Sequence, residues 1–339
     1  MKFTWGILGA SNIANAFSSA VLQSEKGKLG AIASRDIEKA KDFADKHNIP
    51  KYYGNYEDLL TDDEIDGIYI STPNPMHTEW AIKAANAKKH ILLEKPATLN
   101  YAEALEVIDN AKANGVFFME AFMYRCHPQT KKTVDIIKEG LIGDVRFIDI
   151  SFGFKADFNK ESRLFAKHLG GGGILDVGCY TASLARLLAG SAMNKDFANP
   201  IELKATGVKG ITDVDEWTSA VLKFENNIIG NISCAVGTNM QNTALISGTK
   251  GTITVTSPFA CNPGQDNPAI IVTGETNEIY KFENMKSLFT YEADIVTAYA
   301  LNGKAPSPAM TPEDTLGNMK TLDMWRKEVG VIYEKEINL

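Results

Sequence analysis

The chain opens with short apolar runs separated by amphipathic ones. Phe3–Leu8, Lys28–Ala33, Gly67–Ser71, His90–Leu93 and Val116–Ala121 each have the length of a buried strand. Ile37–His47, Tyr56–Leu60, Thr78–Ala87 and Asn100–Gly115 read as helices between them, the last with Gly115 as its cap. Strands alternating with helices predict an α/β, doubly wound parallel sheet. The rhythm changes after about Tyr124. Val145–Phe154 alternates as a half-buried antiparallel strand does. Glu202–Val208, Glu216–Phe224, Ile228–Ala235, Thr243–Ser247 and Thr252–Val255 follow, with turn signals at Asn226-Asn227 and Thr249-Lys250-Gly251. Late helices are expected at Leu288–Leu301 and Pro312–Glu328. The second region is therefore predicted to be an α+β domain with an open, mainly antiparallel sheet. No linker composition marks the junction. The expected domains are 1–123 and 124–339, with the last helix packing back on the first.

The candidate chemistry sits where these runs end. His90–Pro96, HILLEKP, stops in Glu94-Lys95 and then Pro96, which cannot continue a ladder. In a parallel sheet the carboxyl ends of the strands line the ligand crevice, so Lys95 faces what the sheet binds. Phe3–Leu8 runs into Gly9-Ala10-Ser11-Asn12-Ile13-Ala14. That is the GxGxxA dinucleotide fingerprint with Ser11 in the middle place. The following helix offers amides to a phosphate. The second strand ends in Ser34-Arg35, where an NAD enzyme places an acid for the ribose 2′-hydroxyl. A hydroxyl and a guanidinium suit a 2′-phosphate instead, and Lys39 adds charge one turn later. The third strand ends in Thr72-Pro73-Asn74-Pro75-Met76-His77, where His77 reads more readily as structural than as catalytic. Further on, four glycines (Gly170–Gly173) precede Asp176 and Tyr180. Four apart, these two share a helix face. Buried on an otherwise apolar helix they would need partners, which makes a ligand the natural reading.

Composition narrows the classes. Hydrophobic residues are 44% of 339, enough for two cores. The net charge of −7 and the lack of a Lys/Arg-rich run argue against nucleic acid. No apolar stretch approaches the ~18 residues of a membrane span. The N-terminal segment is too short and glycine-broken for a signal peptide. Cys126, Cys179, Cys234 and Cys261 are widely spaced, without metal-ligand patterns. They read as reduced thiols of a cytoplasmic protein that needs no metal.

GILGASNIA, STPNPMH, LLEKP, MEAFMYRCHP, GGGGILDVGCY and SGTKG occur in one order. In these the chain resembles the glucose–fructose oxidoreductase/inositol dehydrogenase/rhizopine catabolism (Gfo/Idh/MocA) family over essentially its whole length. Met119–Pro128 and Asp176–Tyr180 are most like the branch of dimeric dihydrodiol dehydrogenases and NADP-dependent xylose dehydrogenases. The resemblance implies a Rossmann domain and a substrate-binding and dimerisation domain. It implies hydride transfer between NADP(H), with NAD as the lesser alternative, and a sugar or trans-diol hydroxyl carbon. Lys95 matches the family's active-site lysine and Asp176 its substrate-binding aspartate. Tyr180 stands where many relatives carry His. Gly9, Ala10, Ser11, Asn12, Ile13, Ser34, Arg35, Thr72, Asn74, His77 and Glu94 match cofactor-contact positions, and Arg125 matches an arginine near the nicotinamide end. The resemblance also places a cis bond between Lys95 and Pro96.

The residues support the same chemistry independently. A hydride leaves an alcohol carbon only if a base takes the hydroxyl proton. A tyrosine, with a reference pKa of ~10, needs a neighbouring ammonium such as Lys95 to serve. The other reading is a non-catalytic dinucleotide or sugar sensor of the same fold; Lys95, Asp176 and Tyr180 together favour the enzyme. Specificity is expected from Phe154, Lys155, Phe158 and Arg163. A homodimer or dimer of dimers is expected through the open face of the second sheet.

Overall fold

A computed structural model describes residues 2–259, 268–283, 285–301 and 303–333; Cys261 lies outside them. The chain divides into two compact units. One comprises Met1–Thr98, Ala102–Cys126 and Lys286–Thr315; the other comprises Leu99–Tyr101, His127–Met285 and Leu316–Leu339.

The chain begins with β1 (Phe3–Leu8), α1 (Asn12–Val21), β2 (Gly27–Ala33), α2 (Ile37–His47), β3 (Lys51–Tyr53) and α3 (Tyr56–Leu60). Then come β4 (Gly67–Ile70), α4 (His77–Asn86), β5 (His90–Glu94), α5 (Tyr101–Ala113) and β6 (Phe118–Ala121). Their sheet has the order β3-β2-β1-β4-β5-β6, and every pair is parallel. β1 and β4 are buried at every position because helices cover both faces. The strand order reverses between β1 and β4, the switch point where such sheets bind ligands. β3 escaped the sequence reading because three residues are too short to show a period.

The second sheet is built from β7 (Val145–Gly153), β8 (Glu202–Lys209), β9 (Asp215–Lys223), β10 (Ile229–Ala235), β11 (Thr243–Gly248), β12 (Gly251–Thr256), β13 (Ala269–Gly274) and β14 (Glu278–Lys281). Its order is β14-β13-β12-β11-β7-β10-β9-β8. β7 is antiparallel to β11 but parallel to β10, so the expected antiparallel strand has one parallel neighbour. β10 reaches that position through a hairpin from β9, to which it is antiparallel, with Asn226 and Asn227 at positive φ in the turn. One face, with Ile148, Ile150, Ala220, Ile232, Ile246 and Ile253, is buried. α7 (Cys179–Ala192) packs on β7 and β10. The alternate positions leave Phe147, Trp217, Val221, Leu245 and Ile279 exposed. Helix α6 (Pro128–Lys138), β13 and β14 were not foreseen. Pro128 at the first helical position, with His127 accepting the Gln129 amide, was the missed start signal.

α8 (Leu288–Tyr299) and α9 (Pro312–Val329) end the described helices. A single boundary at 123/124 misses one feature: residues 286–315 count with the first unit. The apolar stripe of α8 finds its cover on α1. The Thr290 hydroxyl donates to the Ala20 carbonyl at 3.2 Å, and Ser24 bonds Asp294 at 2.5 Å. Among the described residues no helix is long and apolar enough to cross a membrane.

Candidate active site

The glycine turn is pressed against the end of β4. Gly9 has φ +105, and a Cβ there would lie 3.2 Å from Ser71 Oγ, whose hydroxyl donates to the Gly9 carbonyl at 3.0 Å. Ser11 has an ordinary φ of −95 and does not need to be glycine. Its side chain is the N-cap of α1, accepting the Ala14 amide at 3.1 Å. Asn12 and Ile13 lie in the first turn, whose amides have no intrahelical acceptor and suit a phosphate.

Ser34 is buried at the end of β2, with Arg35 exposed beside it and its charge near the Tyr56 hydroxyl. Asp36 is turned away to cap α2, accepting the Glu38 amide at 3.1 Å and the Lys39 amide at 3.3 Å. Its carboxylate is thereby committed to the helix. Lys39 is exposed and reaches Asp36 only at 3.9 Å.

At the end of β4, Thr72 Oγ1 and both amide atoms of Asn74 are buried without a hydrogen-bond partner among the described residues. Such atoms are costly unless a ligand completes them, and they fit the ribose and phosphate oxygens of a dinucleotide. His77 serves a different end. Its Nδ1 lies 3.1 Å from the Pro96 carbonyl and 3.2 Å from that of Ala97, and its Nε2 lies 2.9 Å from that of Thr72. Burial pushes its pKa below the usual value, and the Lys95 ammonium adds to this. His77 thus clips two loops together, with both ring nitrogens against backbone carbonyls.

Lys95 follows a rigidly held Glu94. The Tyr69 hydroxyl donates to Glu94, and the Lys95 amide bonds the other Glu94 oxygen at 3.2 Å. The Ala97 amide donates to buried Glu120 at 2.9 Å, whose second oxygen accepts from Thr315 at 2.9 Å. The Lys95–Pro96 bond is cis. Arg125 differs from expectation. It is fully buried, pairs with Asp314 at 2.6 Å and donates to the Pro308 carbonyl at 2.5 Å. Its guanidinium is an internal anchor, which sequence alone could not show because its partners lie far along the chain. Glu292 was not foreseen at all. It is wholly buried with both carboxyl oxygens unpartnered among the described residues. Burial, and then the charge of Glu94, pushes its pKa well up.

In the second unit the glycine run leads into a π-helical turn, Ile174–Gly178, and then α7. Asp176 lies in the π turn and Tyr180 in the first turn of α7. The Tyr180 ring meets Phe152 at 5.4 Å and Phe259 at 5.5 Å, both edge-on, and those two stack at 4.9 Å. Asp176 is paired with Arg163 at 2.5 Å; the arginine side chain is 67% exposed and Asp176 only 9%. Of the four expected specificity residues, Arg163 is therefore brought onto Asp176. Phe158 is exposed and packs on Phe165 at 5.2 Å. Phe154 is half-buried and Lys155 exposed. Asp215 was missed; the signal was a carboxylate opening a strand that alternates into the core.

A Rossmann sheet with a phosphate turn, joined in one chain to a mainly antiparallel second sheet, defines a two-unit dinucleotide-dependent enzyme. A family model described as "Oxidoreductase family, NAD-binding Rossmann fold" matches residues 3–122, and one for the GFO/IDH/MocA C-terminal domain matches residues 130–254. The chain belongs to the Gfo/Idh/MocA oxidoreductase family and is an NAD(P)-dependent oxidoreductase. It is 32% identical over 346 residues to trans-1,2-dihydrobenzene-1,2-diol dehydrogenase of Mus musculus, covering 99% of each chain. It is 34% identical over 343 residues to that of Xenopus tropicalis, covering 98% of this chain and 100% of the relative. Its fold matches a 3-ketoreductase from Actinomadura kijaniata in complex with NADP and TDP-benzene, with TM-score 0.85, 24% identity and coverage of 97% and 98%. It also matches an aldose-aldose oxidoreductase from Caulobacter crescentus, with TM-score 0.86, 22% identity and the same coverage.

Proposed function

We propose that this enzyme transfers hydride between NADP(H) and the hydroxyl carbon of a sugar or trans-diol. When bound, the nicotinamide cofactor supplies the hydride acceptor or donor. Tyr180 exchanges the proton of the reacting hydroxyl. Lys95 bonds the same oxygen and favours the ionised phenol through its charge. Asp176 orients a neighbouring hydroxyl as a hydrogen-bond acceptor. Thr72, Asn74 and the first turn of α1 hold the dinucleotide, and Ser34 with Arg35 selects the 2′-phosphate. The observation that carries this reading is Asp176, a nearly buried carboxylate paired with the exposed, displaceable Arg163. A hydroxyl-rich ligand can take that partner's place. The dihydrodiol dehydrogenases among its relatives support a diol. NADPH formation with a panel of trans-diols and aldoses tests it: turnover of at least one is expected, and none across the panel defeats the assignment.

We further propose a cytoplasmic homodimer or dimer of dimers. Cys126, Cys179 and Cys234 are free thiols, which supports a reducing compartment. The exposed apolar row of Phe147, Trp217, Val221, Leu245 and Ile279 supports burial of the open sheet face by a second copy. Sedimentation at micromolar concentration checks this; a monomer counts against it.

A further inference from the structure

Asp215 opens β9 with its side chain wholly buried. It reaches from its strand to the glycine run. Its Oδ2 accepts the Ile174 amide at 2.7 Å, and Gly173 packs against the same oxygen, where a Cβ would stand 3.1 Å away. Gly172, at φ +119, presses on the other oxygen: a Cβ there would stand 2.4 Å from Oδ1. Oδ1 has no hydrogen-bond partner among the described residues. Helices are ordinarily capped by a residue of their own chain segment. Here the acceptor comes from a strand 41 positions later, and it holds the first amide of the π turn that carries Asp176. π turns are uncommon and cluster at functional sites.

We propose that Asp215 is the positioning residue of the substrate-binding turn: it pins Ile174, the first residue of that turn, to β9 and so sets where Asp176 and Tyr180 meet a hydroxyl-rich substrate. The proposal rests on the reading that Asp176 and Tyr180 serve the substrate. Burial holds the Asp215 carboxyl up at about 6. The charged group acting on it is Arg326 of α9; the Cys234 thiol of β10 lies beside it and feels Asp215, Cys179 and Asp176 in turn. A charged acceptor makes the stronger hydrogen bond. A proton on Oδ1 leaves Oδ2 accepting, but more weakly. The Asp215→Asn change reproduces that protonated form, whereas Asp215→Ala removes the acceptor altogether.

The test uses Asp215→Asn and Asp215→Ala in the full chain. Asp215→Asn should raise KM for the diol about threefold and Asp215→Ala about tenfold or more, with kcat falling less than KM rises. NADPH binding, read by nicotinamide fluorescence, should stay within about twofold in both, since the phosphate turn is untouched. Wild-type KM should climb towards the Asp215→Asn value as pH falls through 6, and Asp215→Asn should be flat there. Hydrogen exchange over 170–180 should quicken in Asp215→Ala with 3–20 unchanged. That readout needs no turnover, so it stands even if no diol or sugar reacts and the substrate reading fails. Unchanged KM and kcat in both variants overturns the proposal, as does faster exchange with unchanged kinetics. If Asp215→Ala does not fold, a KM of Asp215→Asn that keeps the wild-type pH dependence overturns it.

Discussion

Arg163 and Asp176 form an ion pair with 2.5 Å between Nη1 and Oδ1, one partner in solvent and the other nearly buried. An exposed arm contributes little: Arg163→Ala should cost under about 1 kcal/mol of stability. Asp176→Asn removes the charged acceptor proposed for a substrate hydroxyl. It should raise KM roughly 10- to 100-fold. Thermal unfolding and initial rates on the same two variants check both halves. A larger stability loss for Arg163→Ala than KM effect for Asp176→Asn would make the pair structural.

General acid–base help is typically worth ~10²–10⁴ in rate. Tyr180→Phe should lower kcat by that order, with NADP affinity nearly unchanged. Lys95→Ala should lose at least as much, because a hydrogen bond and a charge go together. The pH–rate profile separates the roles. If Tyr180→Phe keeps near wild-type kcat and pH dependence, Lys95 carries the proton instead.

Ser34 and Arg35 stand where a ribose-binding acid would be, while Asp36 is committed to the cap of α2. Arg35→Asp should therefore weaken NADP about tenfold or more and leave NAD nearly as before. Calorimetric titration of both cofactors decides it. Equal wild-type affinity for NAD and NADP would show that this strand end does not select.

Arg125 and Asp314 are both fully buried and 2.6 Å apart. Removing one partner strands a buried charge, so Arg125→Ala should lose about 3–5 kcal/mol in chemical denaturation. A variant of normal stability but poor NADP binding would restore the expected cofactor contact.

Glu292 titrates against the fold. Its folded pKa lies above its unfolded value, so its contribution is fully present below the unfolded value and is lost as pH rises towards the folded one. Glu292→Gln removes that loss. Its melting temperature should match wild type near pH 4 and exceed it increasingly towards pH 8. Parallel melting curves across that range would mean that Glu292 is charged at no cost.

Much of this was legible along the chain. Gly9, the Ser34-Arg35 strand end and HILLEKP are local signals, because a tight turn and a strand terminus declare themselves within a few residues. Asp176 and Tyr180 stand out in the sequence for a related reason: they are polar side chains in the apolar run of the π turn and α7. Arg125 and His77 declare themselves less well. Arg125 looks the same in sequence whether it faces a phosphate or Asp314, and His77 was assigned by resemblance before its three carbonyl neighbours were known.

The amino-acid order by itself determined the alternation that makes a parallel sheet, the glycine turn after β1, and the polar residues that mark each unit: Lys95 at a strand end in one, Asp176 and Tyr180 in the other. Hydrophobic period and backbone preference act over a few residues, so they are written locally. Tertiary structure alone decided which polar groups are already occupied. Asp215 finds Ile174 across 41 positions, and Arg125 finds Asp314 across 189. A buried charge takes whichever partner the packed strands and helices bring within reach, and that pairing is fixed only when those elements close around it.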